Sequence, residues 1–533
     1  MAIAAVNARV ILCDGKGTEA EALLAVGDRI EVVGSRMKVE AEARRRGGVR
    51  VIDAHGGAVV PGFNDAHTHL VHWGLLRERV DLLGTKSISE ALERVRARIA
   101  ADKRAGRKGW LIAERWDDSQ WKERRYPTRQ ELDEVTGDRP VLMRRIDGHI
   151  ACANTAGLDR IPAGAKFVDR ASGIMKEDVV LNFNRLFPLP ADESLRALRW
   201  AQEDALRLGV TSVQDMVTPA YARAWMDLRR SGNLKMRARL NPYHDMLPEL
   251  AATGMATGFG DDWLRLGALK LFTDGSIGAH TAAVSFEYVD EAGNRGMLLW
   301  RDADLLRFGH EAEEAGFQLA LHAIGDRAVE QCLRVGANLA GKPALARPTK
   351  KAPKPRRLLP LRHRIEHYEL VSDEQLARTA AIGLGASMQP NFVGTWSSRG
   401  GMYHRRFGDR FLDNNRYALM AEKGVRIGFG SDCMPLGPLW GVHSAANAPE
   451  KPQRLSVEDA LLHYTLGSAR LAFDERVKGS LKAGRLADFV VLDSPLTNAK
   501  RVADAKITTT VVGGDVKFSG PRSSAASKRR ALR

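Results

Sequence analysis

The residues best suited to chemistry are two histidines, His67 and His69, in the run Pro61-Gly62-Phe63-Asn64-Asp65-Ala66-His67-Thr68-His69-Leu70. Alternate residues of a β-strand face the same side, so the pair offers two imidazoles on one face, half of a metal site. The Pro-Gly step marks where that strand begins. Alone, the pair reads equally well as a satisfied or surface pair, and later segments decide. Short apolar runs elsewhere also carry ligand-type residues: Lys270 after Leu266-Gly267-Ala268-Leu269, and His322 after Leu319-Ala320-Leu321. His367 closes His363-Arg364-Ile365-Glu366, and Asp432 closes Ile427-Gly428-Phe429-Gly430-Ser431. Taken singly, His322 reads as a core histidine and Asp432 as a cap. Lys270 does not read so simply, because an uncompensated buried ammonium is too costly. Jointly, five strands that each place such a residue at one end are not a chance pattern.

Imidazoles and carboxylates without thiolates suit Zn²⁺, Mn²⁺ or Fe²⁺, and the donor types do not choose among them. Zinc, as one or two ions, is taken as the expectation. A divalent ion lowers the pKa of water from about 15.7 to about 7 and polarises a carbonyl. A free lysine ammonium would repel two such ions, whereas a CO₂ adduct of Lys270 is an anionic carbamate able to bridge them. Asp432 could bind metal, take a proton from water and pass it to a leaving amine.

The elements that must position these residues are legible as alternation of strand and helix. Strands are expected at 63–69, 210–215, 236–243, 266–271, 318–322, 363–367, 385–389 and 427–432, with amphipathic helices at 302–315, 327–339, 373–381 and 457–473. Helix starts carry capping-box patterns at Ser87, Thr128 and Ser372. The pattern predicts an α/β fold, a TIM-type (β/α)8 barrel whose site lies at the carboxyl ends of the strands. The interval between His69 and Val210 is too long for one βα unit. It predicts an inserted subdomain over about 80–200, with extra strands at 110–114 and 141–146 and helices at 87–105 and 193–208. Short alternating runs in the first 60 residues (5–12, 22–26, 29–33, 59–60) and at 489–492, 507–512 and 515–517 predict a small β-sandwich domain from 1–60 and 475–520. Gly513-Gly514 marks a hairpin. The barrel would then span 61–474, with a disordered basic tail at 521–533.

The chain has 533 residues, 44% hydrophobic, enough for one large domain with accessories. Its formal charge of +16 is concentrated in residues 342–357 and the tail, leaving a mildly basic body. Residues 342–360 read as an exposed, mobile loop. Without interleaved aromatics, loop and tail read as solubilising rather than nucleic-acid binding. The four cysteines, Cys13, Cys152, Cys332 and Cys433, form no CxxC pair, which excludes a disulfide framework. No signal peptide and no apolar run of roughly 20 residues is found. A cytoplasmic protein with no membrane partner is expected, with a homodimer as the ordinary prior.

On these motifs the chain resembles the amidohydrolase superfamily, in its amidohydrolase family 3 (YtcJ-like) branch. The motifs are Pro61 through His69, Gly209-Val210-Thr211-Ser212-Val213-Gln214-Asp215, Lys270 with Asp274-Gly275-Ser276, and His322-Ala323-Ile324-Gly325-Asp326. Arg364-Ile365-Glu366-His367, Gln389-Pro390, Gly430-Ser431-Asp432, Gly479-Ser480-Leu481 and Gly484 to Phe489 also match. So do Trp116-Asp117-Asp118 and Arg144-Arg145-Ile146-Asp147-Gly148-His149 in the insertion. The resemblance covers nearly the whole chain outside the 342–360 loop and the tail. It implies a metal-dependent hydrolase of non-peptide C–N bonds, acting on an amide or N-substituted formamide. His67, His69 and Asp432 would hold one metal, His322 and His367 a second, and carboxylated Lys270 would bridge them. A deaminase or cyclic-amide hydrolase is the alternative at the same site, and a basic nucleic-acid-binding scaffold the alternative of another class.

His149, Asp274 and Trp116 are further candidates for contact with a small amide-type substrate. Asp274 and Asp326 could instead orient ligands, with Asp326 equally readable as a helix cap. Trp116 and Trp121 could wall the pocket or fill the core of the insertion. Cys433 reads as packing.

Overall fold

The computed structural model describes residues 1–347 and 361–520. The predicted core strands form two all-parallel ladders. One runs in the order Leu264–Leu266, Arg237–Pro242, Val210–Val217, Phe63–Thr68. The other runs Leu269–Phe272, Leu319–Ala323, Arg364–His367, Gly385–Met388, Arg426–Phe429. Every residue of Val210–Val217 is buried. That is what parallel strands covered on both faces require, and it explains runs that do not alternate. Helices follow the strands, as in a TIM-type α/β fold.

The ladder is not continuous around the sheet, unlike the closed barrel expected. The fourth strand breaks at Gly267-Ala268 because a side chain takes over the pairing: Gly267 N donates to the Leu240 carbonyl at 2.7 Å, and Ala268 N donates to Asn241 Oδ1 at 2.8 Å. A Cβ on Gly267 would lie 2.2 Å from that oxygen, so the close approach requires glycine here. The arcs meet through an isolated parallel bridge between Tyr243 and Lys270. On the other side Asp432 N donates to the His67 carbonyl at 2.8 Å.

Between the first and second parallel strands lies a mixed sheet ordered Val168–Asp169, Ile174–Lys176, Ile150–Ala153, Val141–Arg145, Leu111–Trp116, Val80–Asp81. The helices Ile88–Arg104 and Ala191–Arg207 also fall in this interval. The second helix packs so tightly on Leu70–Leu75 that a Cβ at Gly74 would meet the Ala197 carbonyl oxygen at 1.9 Å. Two further sheets contain the terminal strands. One is built from Ala2–Val6, Ala22–Val26, Arg29–Gly34 and Val49–Asp53. The other joins Arg9–Ile11, Glu19–Ala20 and Ala58–Pro61 to Phe489–Leu492, Ile507–Val512 and Asp515–Ser519. Gly513 and Gly514, at φ 60° and 74°, make the hairpin between the last two strands, as a tight two-residue turn demands.

Thr128 and Ser372 form complete capping boxes. Ser87 caps its helix, but the Glu90 carboxylate accepts from Lys86 N at 2.8 Å and does not complete the box. The 457–473 helix is interrupted by a π turn at His463–Gly467. The start of the basic 342–360 segment is docked rather than free: Lys342 Nζ donates to the Ala381 carbonyl at 2.7 Å, and Arg378 Nε donates to that of Leu345 at 2.8 Å. The rest of that segment, 348–360, and the 521–533 tail lie outside the described residues. Among the described residues no helix is long and apolar enough to cross a membrane.

Candidate metal centre

His67 lies near the carboxyl end of Phe63–Thr68, and His69 follows directly. Their exit from the sheet is held by buried Asp215, which accepts from Leu70 N at 2.6 Å, Thr68 Oγ1 at 2.9 Å and Trp225 Nε1 at 2.8 Å. Asp432 is brought alongside by two bonds: its own N–H to His67, and Ser431 N to Asp65 Oδ1 at 2.8 Å. Asp432 and Cys433 are left-handed at φ 53° and 54°, and His367 and Tyr368 at 71° and 50°. Strained backbone of this kind persists where the surrounding structure imposes it, commonly at sites.

His69 Nε2 lies 3.3 Å and His67 Nε2 3.6 Å from Asp432 Oδ1. One donor atom from each of the three residues falls within 4.8 Å of the other two. His67 Nδ1 is 2.6 Å from Glu366 Oε2, and Glu366 Oε1 accepts from Arg364 Nε at 2.6 Å. An anionic acceptor at Nδ1 places the ring hydrogen there and leaves the Nε2 lone pair toward the cavity. Gln389 Oε1 does the same for His367 Nδ1 at 2.7 Å. The imidazoles of His67 and His367 are 4.7 Å apart by centroid, and those of His322 and His367 4.5 Å. The structure thus brings His67, His69, His322, His367 and Asp432 to one place, with Lys270 on the same cavity wall.

Lys270 is fully buried and has no ion-pair partner among the described residues; its Nζ sits 4.6 Å over the Phe272 ring. Burial pushes its ammonium down to about 8. His322 and His367 are held well below the usual imidazole value, first by burial and then by neighbouring cations and imidazoles. Burial would raise Asp432, but His67 and His69 pull it below the usual carboxylate range. Among the buried polar atoms without a hydrogen-bond partner are three from these residues: His67 Nε2, Lys270 Nζ and His322 Nδ1. Unpaired buried donors and acceptors are expensive unless something binds them. This donor set fits a divalent metal, and the lone lysine nitrogen fits a group that would convert it to an anion.

His149 is on the cavity wall, with Nδ1 2.8 Å from buried Glu177 Oε2 and its ring 5.4 Å from that of His322. Burial would lower His149, but the Glu177 charge raises it above its ordinary value. Asp274 is not on that wall. It accepts the N–H groups of Ile324 at 3.1 Å and of Gly325 and Ala283 at 2.9 Å, and so shapes the loops around His322 instead of reaching a substrate. Trp116 is also withdrawn: it is fully buried, 5.4 Å from Trp121 in a stack within the apolar cluster beside the mixed sheet. Asp326 is not the helix cap; it accepts from Ser285 N at 2.8 Å. Cys433 is buried, and burial holds its thiol protonated. Glu366, Gln389 and Glu177, none of which had been given a role, fix the three imidazoles. The only signal for Glu366 was its place one residue before His367, on the face it shares with Arg364.

The carboxyl-end cavity of a TIM-type α/β fold, ringed by histidines, an aspartate and a buried lysine, defines a class of hydrolase-like sites. Comparison places the chain within it. The model of the amidohydrolase family matches residues 50–518, and the chain belongs to that family. It is 27% identical over 507 residues to the putative amidohydrolase YtcJ of Bacillus subtilis, covering 88% of this chain and 90% of that one. It is 25% identical over 555 residues to the N-substituted formamide deformylase of Arthrobacter pascens, covering 96% and 97%. Among solved structures, an uncharacterized metal-dependent hydrolase from Pyrococcus horikoshii superposes with a TM-score of 0.75 at 28% identity, covering 94% of this chain and 99% of that one.

Proposed function

We propose that the protein is a metal-dependent hydrolase of non-peptide C–N bonds, acting on an amide or N-substituted formamide. The observation that carries this is the convergence of His67, His69 and Asp432 with Lys270 Nζ and His322 Nδ1, both without a hydrogen-bond partner among the described residues, at one cavity. His67, His69 and Asp432 would hold one divalent ion, zinc in the first instance, and His322 and His367 a second. Lys270 would supply the bridge: its neutral Nζ adds to CO₂, forming an N–C bond and releasing one proton, and the carbamate is anionic. When bound, such an ion lowers the pKa of water to about 7 and polarises a substrate carbonyl. Asp432 accepts the proton of the attacking water and returns it to the leaving nitrogen. Glu366 and Gln389 hold the imidazole tautomers, and His149, backed by Glu177, faces the substrate. The sheet between residues 80 and 176 is proposed as an inserted subdomain that roofs this cavity. The two terminal sheets are proposed as one β-sandwich domain bracketing the parallel strands.

The test is a screen of metal-reconstituted protein over N-formyl, N-acyl and cyclic amides, scoring carboxylate, amine and ammonia release. The expected result is hydrolysis that falls at least about 100-fold in Asp432→Asn. Hydrolysis that survives both chelation and that substitution would refute the assignment.

A further inference from the structure

Two adjacent arginines end the strand Val141–Arg145, and strand alternation sends them to opposite sides. Both reach the cavity wall, but their electrostatic surroundings differ. Arg145 donates to Asp118 Oδ1 and Asp147 Oδ2, each at 2.7 Å, and Asp117 lies 3.5 Å away. A neighbouring cation, Arg406, approaches Asp118 at 3.7 Å. Arg145 is therefore well matched.

Arg144 has a single carboxylate, Glu114, directly opposite on the neighbouring strand, with Nη1 3.2 Å from Oε1. Glu114 is already paired with Arg79, which donates to the same oxygen. The third neighbour, His72 at 3.6 Å, is pushed down to about 4 by burial and adds no negative charge. Nearby Arg115 is matched by Asp81 and lends no carboxylate. Two guanidiniums thus share the Glu114 carboxylate; Arg79 also feels Glu193, whereas Glu114 is the one carboxylate acting on Arg144 among the described residues. Arg144 is 6% exposed, and its buried Nε has no partner. A buried cation short of a counter-charge is costly, and a ligand that supplies one removes the cost.

The same lining carries apolar and aromatic Trp73, Leu76, Val180, Tyr221 and Tyr243, with polar Asn184 and Thr218. His72 follows His69 by three residues, about 4.5 Å along a helix axis. Arg144, His69, His72 and Asp432 all line the same cavity, so an anion at Arg144 and a carbonyl beside His69 and Asp432 would share one ligand pocket.

We propose that Arg144 binds a carboxylate of the substrate, so that the enzyme selects amides carrying an anionic group beside an apolar body. The word substrate rests on the hydrolase reading above; the anion site itself does not. A guanidinium presents paired donors that match a carboxylate, which a neutral amide cannot use equally well.

The test compares N-formylphenylalanine with N-formylphenethylamine, which share a body and differ by the carboxylate, on metal-reconstituted wild type and Arg144→Gln. Wild type is expected to favour the acid at least about tenfold in kcat/KM, and Arg144→Gln to erase at least about tenfold of that ratio through KM. Arg144→Lys, which keeps the charge, should recover part of it and stands in if the glutamine variant does not fold. Calorimetric titration with hydrocinnamate and hydrocinnamamide is read alongside. If neither formamide is hydrolysed but wild type binds the acid over the amide and Arg144→Gln does not, these two compounds are not substrates and the anion site stands on its own. Equal binding of acid and amide by wild type, or equal loss on both substrates in the variant, overturns the proposal.

Discussion

The two ends of the parallel strands each bury one lysine, and they treat it in opposite ways. At the amino ends, Lys478 Nζ lies 3.2 Å from Asp474 Oδ2. Asp474 also meets Arg239 at 2.6 Å and Arg265 at 3.5 Å, and Arg237 forks onto Asp488 at 2.7 and 3.0 Å. Lys478, Arg239 and Arg265 converge on Asp474, Arg265 also meets Asp262 at 3.0 Å, and the network ties the strands to the segment leading into the terminal sheet. At the carboxyl ends, Lys270 has no ion-pair partner among the described residues, and His67 and His322 keep a bare nitrogen each. Burial pushes both lysines down to about 8, so desolvation alone does not separate them. The difference is ion pairing: Lys478 lies beside a carboxylate, although its Nζ makes no hydrogen bond, whereas Lys270 has no ion-pair partner among the described residues.

The largest expected effect breaks the carboxyl end. Asp432→Asn should cut turnover by about 10²–10⁴-fold, measured by steady-state kinetics, while circular dichroism shows the fold retained. Breaking the amino end should do the reverse. Asp474→Asn leaves Lys478 and Arg239 short of their counter-charge and should cost about 3–5 kcal/mol in urea unfolding. The protein that remains folded should keep its kcat. Chelation comes next: stripping metal should lower unfolding stability by about 3–4 kcal/mol if the ion is held at 100 to 1,000 times its Kd. That drop should vanish in Asp432→Asn and persist in Lys478→Met.

The smallest effect is a pH dependence at the amino end. The folded value of Lys478, about 8, is below its ordinary 10.5. Between those values the unfolded chain holds more protons than the folded one, so this group makes stability rise with pH across that window. Lys478→Met should show a shallower rise than wild type in denaturant midpoints measured from pH 8 to 10.5. Identical slopes would mean that Lys478 is not desolvated as described.

Much of this contrast was legible in the residues. Buried parallel strands read as short apolar runs, and Lys270 after Leu269 and His322 after Leu319-Ala320-Leu321 stand out because those runs are otherwise apolar, whereas 63–67 and 363–367 carry further polar residues. What was not legible depends on partners far away in the chain. Glu366 meets His67 across 299 residues. The Gly267 break is set by the side chain of Asn241, which no local pattern announces. Trp116 was readable as lid core or pocket wall, and only strand register decides which way its ring points. Asp274, which closely follows the Lys270 strand, looked like a substrate contact, yet it is buried off the cavity wall and accepts three backbone N–H groups. The uneven match of Arg144 and Arg145 depends on which carboxylates neighbouring strands and loops bring up, so adjacent identical residues carry different roles.

The central claim, that the carboxyl end is completed by metal, is tested most directly by metal content. Protein purified and reconstituted with zinc, then freed of loose ions, should hold about one or two equivalents by mass spectrometry. A His67→Ala, Asp432→Asn double variant of intact fold should hold markedly less. Wild type without stoichiometric metal, or a double variant that retains the full complement, would contradict the account.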